Sequence, residues 1–421
     1  MRQLSRLAAL LLLGLTATAS ADAIRYTITE LTGLGGNTTR AFGINASGQI
    51  VGESNVTGDN HMFAFLYENG TMTNLGTFGG NTSSATAINA SGQLAGYART
   101  GGNVDHAFLA VVGNITDCGT LGGTISYGFA INDSGIVAGA GYLAGDATYH
   151  AMTYDGTRHD LGTLGGTNSA ANGINASGQV VGASQITGSN IYHAFLLSGG
   201  MMTDIGTLGG NASTATGINN AGQIVGFANR NSSSENHAFL YKNGVMQDLG
   251  VLSGVTSAAQ AINSSGQIVG YTDVAAGTAT HAFLYENGAM RDLNTRVSNG
   301  SGWQLTYANA INDAGFIVGE GTLNGAIRGF LLTPHNVASP KLKLDGKNAI
   351  TTPLARLTIK GRTTGDVTSV TYKLGKKTAT ASGTAKWSLK TKLKPGKNIL
   401  TIVAHGYGGD SSPTKVTITR S

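Results

Sequence analysis

The sequence predicts an all-β protein: a seven-bladed β-propeller closed by its N-terminal strand, followed by a small β-sandwich. Three observations predict it. The string Ile-Asn-x-(Ser/Ala)-Gly recurs from Ile44, Ile88, Ile131, Ile174, Ile218, Ile262 and Ile311, at steps of 43, 44 or, once, 49 residues. No stretch keeps a helical period, whereas short β-branched runs alternate with turn signals throughout. Charge is divided: residues 22–337 hold 9 Lys and Arg against 19 Asp and Glu, and residues 338–421 hold 16 against 3.

The elements of one repeat follow in order. A small-residue run leads into Ile-Asn, and the Asn45–Gly48 turn with its six copies joins it to a stiff β-branched stretch such as Ile224-Val225. After a variable loop comes His-Ala-Phe-Leu-Tyr. Next come Asn69-Gly70, Asn243-Gly244 and Asn287-Gly288, dipeptides that tolerate the positive φ of a hairpin. A run of the Met-x-Asp-Leu-Gly-Thr-Leu-Gly-Gly kind ends the unit. Four short strands in about 44 residues suit a propeller blade better than a solenoid coil. Six repeats own a fourth strand, ending for the last near Asp292-Leu293. The seventh stops at Phe330-Leu331-Leu332, and Tyr26–Gly36 aligns with Ile115–Gly123, so the N-terminal strand is expected to complete the last blade. Such closure leaves no open sheet edge.

Composition excludes other classes. Glycine, at 64 of 421 residues, is about twice as common as usual, yet 5 prolines and no Gly-X-Y period exclude collagen. Hydrophobic residues at 41% exclude bulk disorder, and one cysteine, Cys118, excludes a disulfide framework or multi-cysteine zinc site. Cys118 is expected to act as a buried small hydrophobe. Residues 1–21 read as an export signal: Arg2 and Arg6, an apolar Leu7–Leu15, and Ala19-Ser20-Ala21 before Asp22. That run is too short to span a bilayer, and no later one is long enough. The domains expected are therefore signal 1–21, propeller 22–337 and basic sandwich 338–421, with Ser339-Pro340 as linker.

His106, His193, His237 and His281, each followed by Ala-Phe, occur with Leu-Gly-Thr-Leu-Gly-Gly and Gly-Ile-Asn-x-Ser-Gly-Gln. Over about residues 25–333 these motifs resemble the bacterial extracellular HAF-repeat proteins. The resemblance implies export and no established activity. Phe63, Met152 and Arg328 depart from the pattern. The Trp387 strand, the Leu393–Asn398 turn and the final Thr414–Ile418 resemble bacterial immunoglobulin-like or fibronectin-like modules. His405 stands where such modules often carry Asp, which weakens any inherited calcium argument.

Five histidines (His106, His150, His193, His237 and His281) share one repeat position, and Asp117, Asp160, Asp204, Asp248 and Asp292 share another on the neighbouring strand. A buried His–Asp hydrogen bond in each blade is the expected reading rather than a metal ring, because an unpartnered buried polar group costs about 1–3 kcal/mol. Function lies more readily where copies differ. The residue after the second strand's glycine reads Glu53, Tyr97, Ala140, Ala183, Phe227, Tyr271 and Glu320. Glu53 and Glu320 are expected to meet across the closing boundary, as acid–base or cation-binding carboxylates. Tyr97, Phe227 and Tyr271 are candidate stacking faces for a sugar. The alternative for all five is ordinary packing. Lys386, Lys390, Lys392 and Lys394 alternate on one strand face and suit a polyanion.

No Gly-x-Ser-x-Gly elbow in a strand–turn–helix context, His-Glu-x-x-His or phosphate loop is present, so no catalytic residue, metal or cofactor is expected. The expected function is an exported, non-enzymatic binding or display scaffold, monomeric, meeting cell-surface polysaccharide, acidic polymer or protein, with no nucleic-acid partner. The alternative is a carbohydrate-active enzyme at the ring axis. Two acidic residues opening into the central channel, with aromatic walls, would favour the enzyme. Small residues alone (Ala87, Ala130, Gly173, Gly217, Ala261, Ala310) would favour the scaffold.

Overall fold

The Asn-Gly dipeptides do what their conformational freedom allows. Asn69, Asn243 and Asn287 adopt φ of 51°, 52° and 51°, and their glycines 82°, 80° and 77°, turning the third strand of a repeat into its fourth. The computed structural model describes residues 24–421 except 59–60, 112, 232–234, 276–278, 299, 338, 366 and 407–408. The export signal expected at residues 1–21 lies outside the described residues.

The chain is all-β, with one 3₁₀ turn, Leu293–Thr295, among the described residues. It divides into Tyr26–Pro334 and a second unit that holds His335–Ser421. The first unit contains seven four-stranded antiparallel sheets among the described residues. A typical one runs Gly165–Ile174, Val180–Ile186, Tyr192–Ser198 and Met201–Asp204. The last is built from Trp303–Ile311, Ile317–Leu323 and Ala326–Asn336, with Ile24–Leu31 beside Ala326–Asn336 as its outer strand. The longer 49-residue step is taken up here. Asp292 caps the 3₁₀ turn, and Tyr26 exchanges backbone hydrogen bonds with Arg296 and Ser298, both 3.0 Å.

Neighbouring sheets pack through the inward side chains of their strands. Val181, Ala194 and Ile205 of one sheet meet Ala215, Ile224, Ala228 and Phe239 of the next. The Phe of His-Ala-Phe is fully buried at Phe65, Phe108, Phe195, Phe239, Phe283 and Phe330, with Met152 in the remaining copy. Phe63, Met152 and Arg328 keep the same register as their counterparts, opposite Ser54, Gly139 and Gly321. Size and polarity at those sites therefore do not disturb the ladder.

A second set of contacts is polar. Asn45, Asn89, Asn132, Asn175, Asn219, Asn263 and Asn312 are all buried. Each accepts from the backbone N–H four residues on through Oδ1, which shapes the turn the sequence suggests. Each also donates Nδ2 to the backbone carbonyl of the same Asn in the next sheet, at 3.0–3.3 Å. The bond from Asn312 returns to Asn45.

The C-terminal unit has two sheets over one core. Lys341–Leu344, Arg356–Thr364 and Lys386–Lys392 form a three-stranded sheet; the larger one centres on Gly396–Gly406 between Val367–Leu374 and Thr414–Arg420. Trp387, Leu389 and Ile359 of the first pack with Val370, Leu400, Ile402, Val416 and Ile418 of the second. Nine strands appear here among the described residues, against the six or seven expected. The extra ones are short: Lys377–Thr380 is exposed at every position and Gly409–Asp410 spans two residues, so neither carries an apolar alternation.

Candidate functional site

In all seven sheets the first strand carries a β-bulge beside its Ile-Asn end, the register slipping between residues such as Ala41 and Gly43 or Ala171 and Gly173. A bulge re-aims the extra residue. The facing glycine of the second strand (Gly52 and its counterparts through Gly319) cannot be replaced, because a Cβ there would run into the carbonyl oxygen of Arg40 or its equivalent. This close approach explains the invariant Gly of the Ile-Val-Gly stretch.

The bulged residues Phe42, Thr86, Phe129, Asn172, Thr216, Gln260 and Asn309 line a cavity of about 580 Å³ shared by all seven sheets. The small residues expected at a channel, Ala87, Ala130, Gly173, Gly217, Ala261 and Ala310, are in its wall, but they are joined by these larger ones and by Phe227. No Asp, Glu, His, Lys, Arg or Cys is among the lining residues. Four of the polar ones are committed to the fold: Thr86, Asn172, Thr216 and Asn309 donate to Gly128, Ala215, Ala259 and Ala41 carbonyls at 2.8–2.9 Å. This is a second position at which the repeats differ, and sequence reasoning missed it. Its signal is the extra residue that breaks strand alternation just before Ile-Asn.

Glu53 and Glu320 do come together, with Arg40 between them. The Arg40 Nε donates to Glu320 Oε2 at 2.7 Å, and its Nη1 to Glu53 Oε1 at 3.0 Å. Burial works against the charge on Arg40, yet the bonds and charges of the two carboxylates outweigh it and hold the guanidinium above its ordinary pKa. Burial raises the Glu320 carboxyl, with Arg40 opposing. A cation already sits between the carboxylates, so they form an ion-pair clamp between the first and last sheets rather than an open acid–base pair.

The aromatic candidates do not share a wall. Tyr97 meets Tyr127 edge-on at 5.1 Å and Tyr271 meets Tyr307 at 4.8 Å, each across a sheet boundary, while Phe227 reaches the cavity. The five His–Asp pairs are present at 2.7–2.9 Å. Only His237 is buried, at 5% exposure; the other four histidines are partly open to solvent. The expectation of a uniformly buried pair is corrected there: in those four copies the partner Asp117, Asp160, Asp204 and Asp292 side chains are themselves 20–43% exposed, so the pair meets solvent. No group of three or more metal-ligating side chains occurs among the described residues. Cys118 is 1% exposed, and burial pushes its thiol up to about 12.

Lys386, Lys390 and Lys392 lie on the outward face of Lys386–Lys392, alternating with buried Trp387, Leu389 and Thr391, and Lys394 follows just past the strand end. Sequence reasoning missed their neighbours. Arg356, Lys360 and Arg362 of the middle strand and Lys341 and Lys343 of the far strand are exposed on the same face.

No known family's sequence model matches the chain. No curated protein matches it either. Among solved structures, it is similar to TolB from Acinetobacter baumannii (TM-score 0.40, 14% identity, 65% of this chain and 76% of that one). It is similar also to the fibronectin(III)-like modules of Clostridium thermocellum CbhA (0.21, 14%, 40% and 90%) and to Sidekick-1 immunoglobulin domains 1–5 (0.18, 11%, 94% and 99%). At these scores the likenesses carry no argument about chemistry.

Proposed function

We propose that the chain is an exported, non-enzymatic binding and display scaffold of the HAF-repeat kind: a closed seven-bladed β-propeller whose last blade is completed by the N-terminal strand, joined to an immunoglobulin-like module. The four-stranded sheets and the asparagine bond that returns from Asn312 to Asn45 support the closed ring. The export reading rests on residues 1–21 alone. The observation that carries the scaffold reading is the wall of the axial cavity, built from Phe, Ile, Ala, Gly, Thr, Asn and Gln. Glycoside cleavage is ordinarily done by a pair of carboxyl groups flanking the scissile bond, and the carboxylates nearest this idea are clamped on Arg40. The ring thus holds loops rigidly in place and leaves ligand contact to its surfaces.

Incubating the mature chain with acidic and neutral bacterial surface polysaccharides tests this. The account predicts retention of at least one polymer with its chain length unchanged by light scattering after a day. Shortened polymer, or new reducing or unsaturated ends, would contradict it.

A further inference from the structure

We propose that the three-stranded sheet of the C-terminal unit is a docking strip for a linear polyuronate, an acidic polysaccharide with a carboxylate on each sugar. The inference rests on the scaffold reading and names its partner. Cross-strand pairing stacks cations in rows: Lys343 faces Arg362, which faces Lys386, and Arg356 faces Lys392. Lys360 and Lys390 lie between these rows, all exposed. Like charges placed directly opposite weaken a sheet. Among the described residues only Arg362 of this set has an ionic partner, Asp345 at 3.4 Å. The fold therefore keeps a repulsion that a bound polyanion relieves.

The shape selects the partner. Three strands make a strip about 10 Å wide, and the middle strand runs about 20 Å from Arg356 to Arg362. Its charges at Arg356, Lys360 and Arg362 are about 13 and 7 Å apart, and Lys390 opposite Thr358 fills the wider gap, so the strip offers a cation about every 7 Å. That is a track for one polymer chain, with a pitch on the order of a sugar unit, rather than a bilayer-sized plane. The interleaved outward residues are Thr358, Thr364 and Ser388, hydroxyls suited to sugar hydroxyls. Among the described residues of the three strands, no aromatic side chain stands on the outward face for base stacking and no apolar one for insertion into lipid. The larger sheet contrasts with it: Lys373, Lys397 and Lys415 are spread among threonines and an exposed Ile399.

The test titrates the mature full-length chain with polygalacturonate across salt, alongside duplex DNA and anionic phosphatidylglycerol vesicles at equal charge concentration. Binding to polygalacturonate is expected to be the tightest and to weaken with salt. Lys386→Gln, Lys390→Gln and Lys392→Gln together should weaken it at least about tenfold and flatten the log–log salt slope by about 2, near 0.7 per lost contact on a single-stranded polyanion. Their Tm should be unchanged or higher, because opposed like charges are removed. The matched set Lys373→Gln, Lys397→Gln and Lys415→Gln, with the same change in net charge, should leave affinity within about twofold. Absent binding, equal loss in both sets, or preference for DNA or vesicles overturns the strip. Polymer length is followed in the same samples. Shortening contradicts the scaffold reading, whereas intact but unbound polymer contradicts only this inference.

Discussion

Asn219→Asp is expected to destabilise the ring unit by about 3 kcal/mol at pH 7.5, far more than an exposed isosteric change. The Asn219 Nδ2 donates to the Asn263 carbonyl at 3.0 Å and to Gln223 Oε1 at 2.8 Å, from a side chain 6% exposed. A carboxylate keeps the turn acceptor but turns a buried donor into a charge facing two oxygens. Those oxygens and burial raise the folded pKa of the new carboxyl above its unfolded value. By linkage the variant's deficit is full above that folded pKa and shrinks as pH falls through it, where the protonated acid donates again. Urea unfolding of variant and wild type at pH 7.5 and at about pH 4, near the ordinary Asp value, measures the difference. Asn220→Asp is the control, since the counterpart positions Asp133 and Asp313 already accept backbone N–H groups at 3.0 and 2.8 Å. An Asn219→Asp protein within about 0.5 kcal/mol of wild type at pH 7.5 would remove the asparagine circuit as a stabilising element.

Deleting residues 22–33 is expected to leave the chain insoluble or without a cooperative transition. Tyr26, Ile28 and Leu31 are 1%, 7% and 0% exposed, and at about 1.5–3 kcal/mol each their burial rivals a domain's whole stability. Their loss also bares the edge of Ala326–Asn336 to other chains. Leu31→Ala is the graded version, expected to cost about 2–5 kcal/mol and to lower Tm while the protein stays soluble. A truncated chain with wild-type Tm and monomeric mass contradicts the role given to this strand.

What the sequence made legible was local or repeated. Asn69-Gly70 announces its turn because both residues accept positive φ, and the recurrence of Ile-Asn counts the sheets. What it hid depends on partners far along the chain. The Asn219 side chain is visible as a turn former, but its second bond goes to residue 263. Arg40 stands beside an ordinary small-residue run, and only the meeting of first and last sheets puts it between Glu53 and Glu320. The bulge residues break strand alternation, so a period-two reading passes over them. Lys386, Lys390 and Lys392 were legible as one strand face. Arg356, Lys360 and Arg362 join them through pairing that no spacing reveals.

The central claim is that first and last sheets are neighbours, and a distance measures it. Spin labels at Ser47 and Ala314, equivalent turn positions in those sheets, are compared with labels at Ser47 and Ser91 in adjacent sheets; Cys118, buried and held protonated, stays unlabelled. The account predicts two overlapping short distributions, one sheet-to-sheet spacing of about 10 Å plus the label arms. A Ser47–Ala314 distance near 60 Å, six such spacings, belongs to an open spiral and would contradict it.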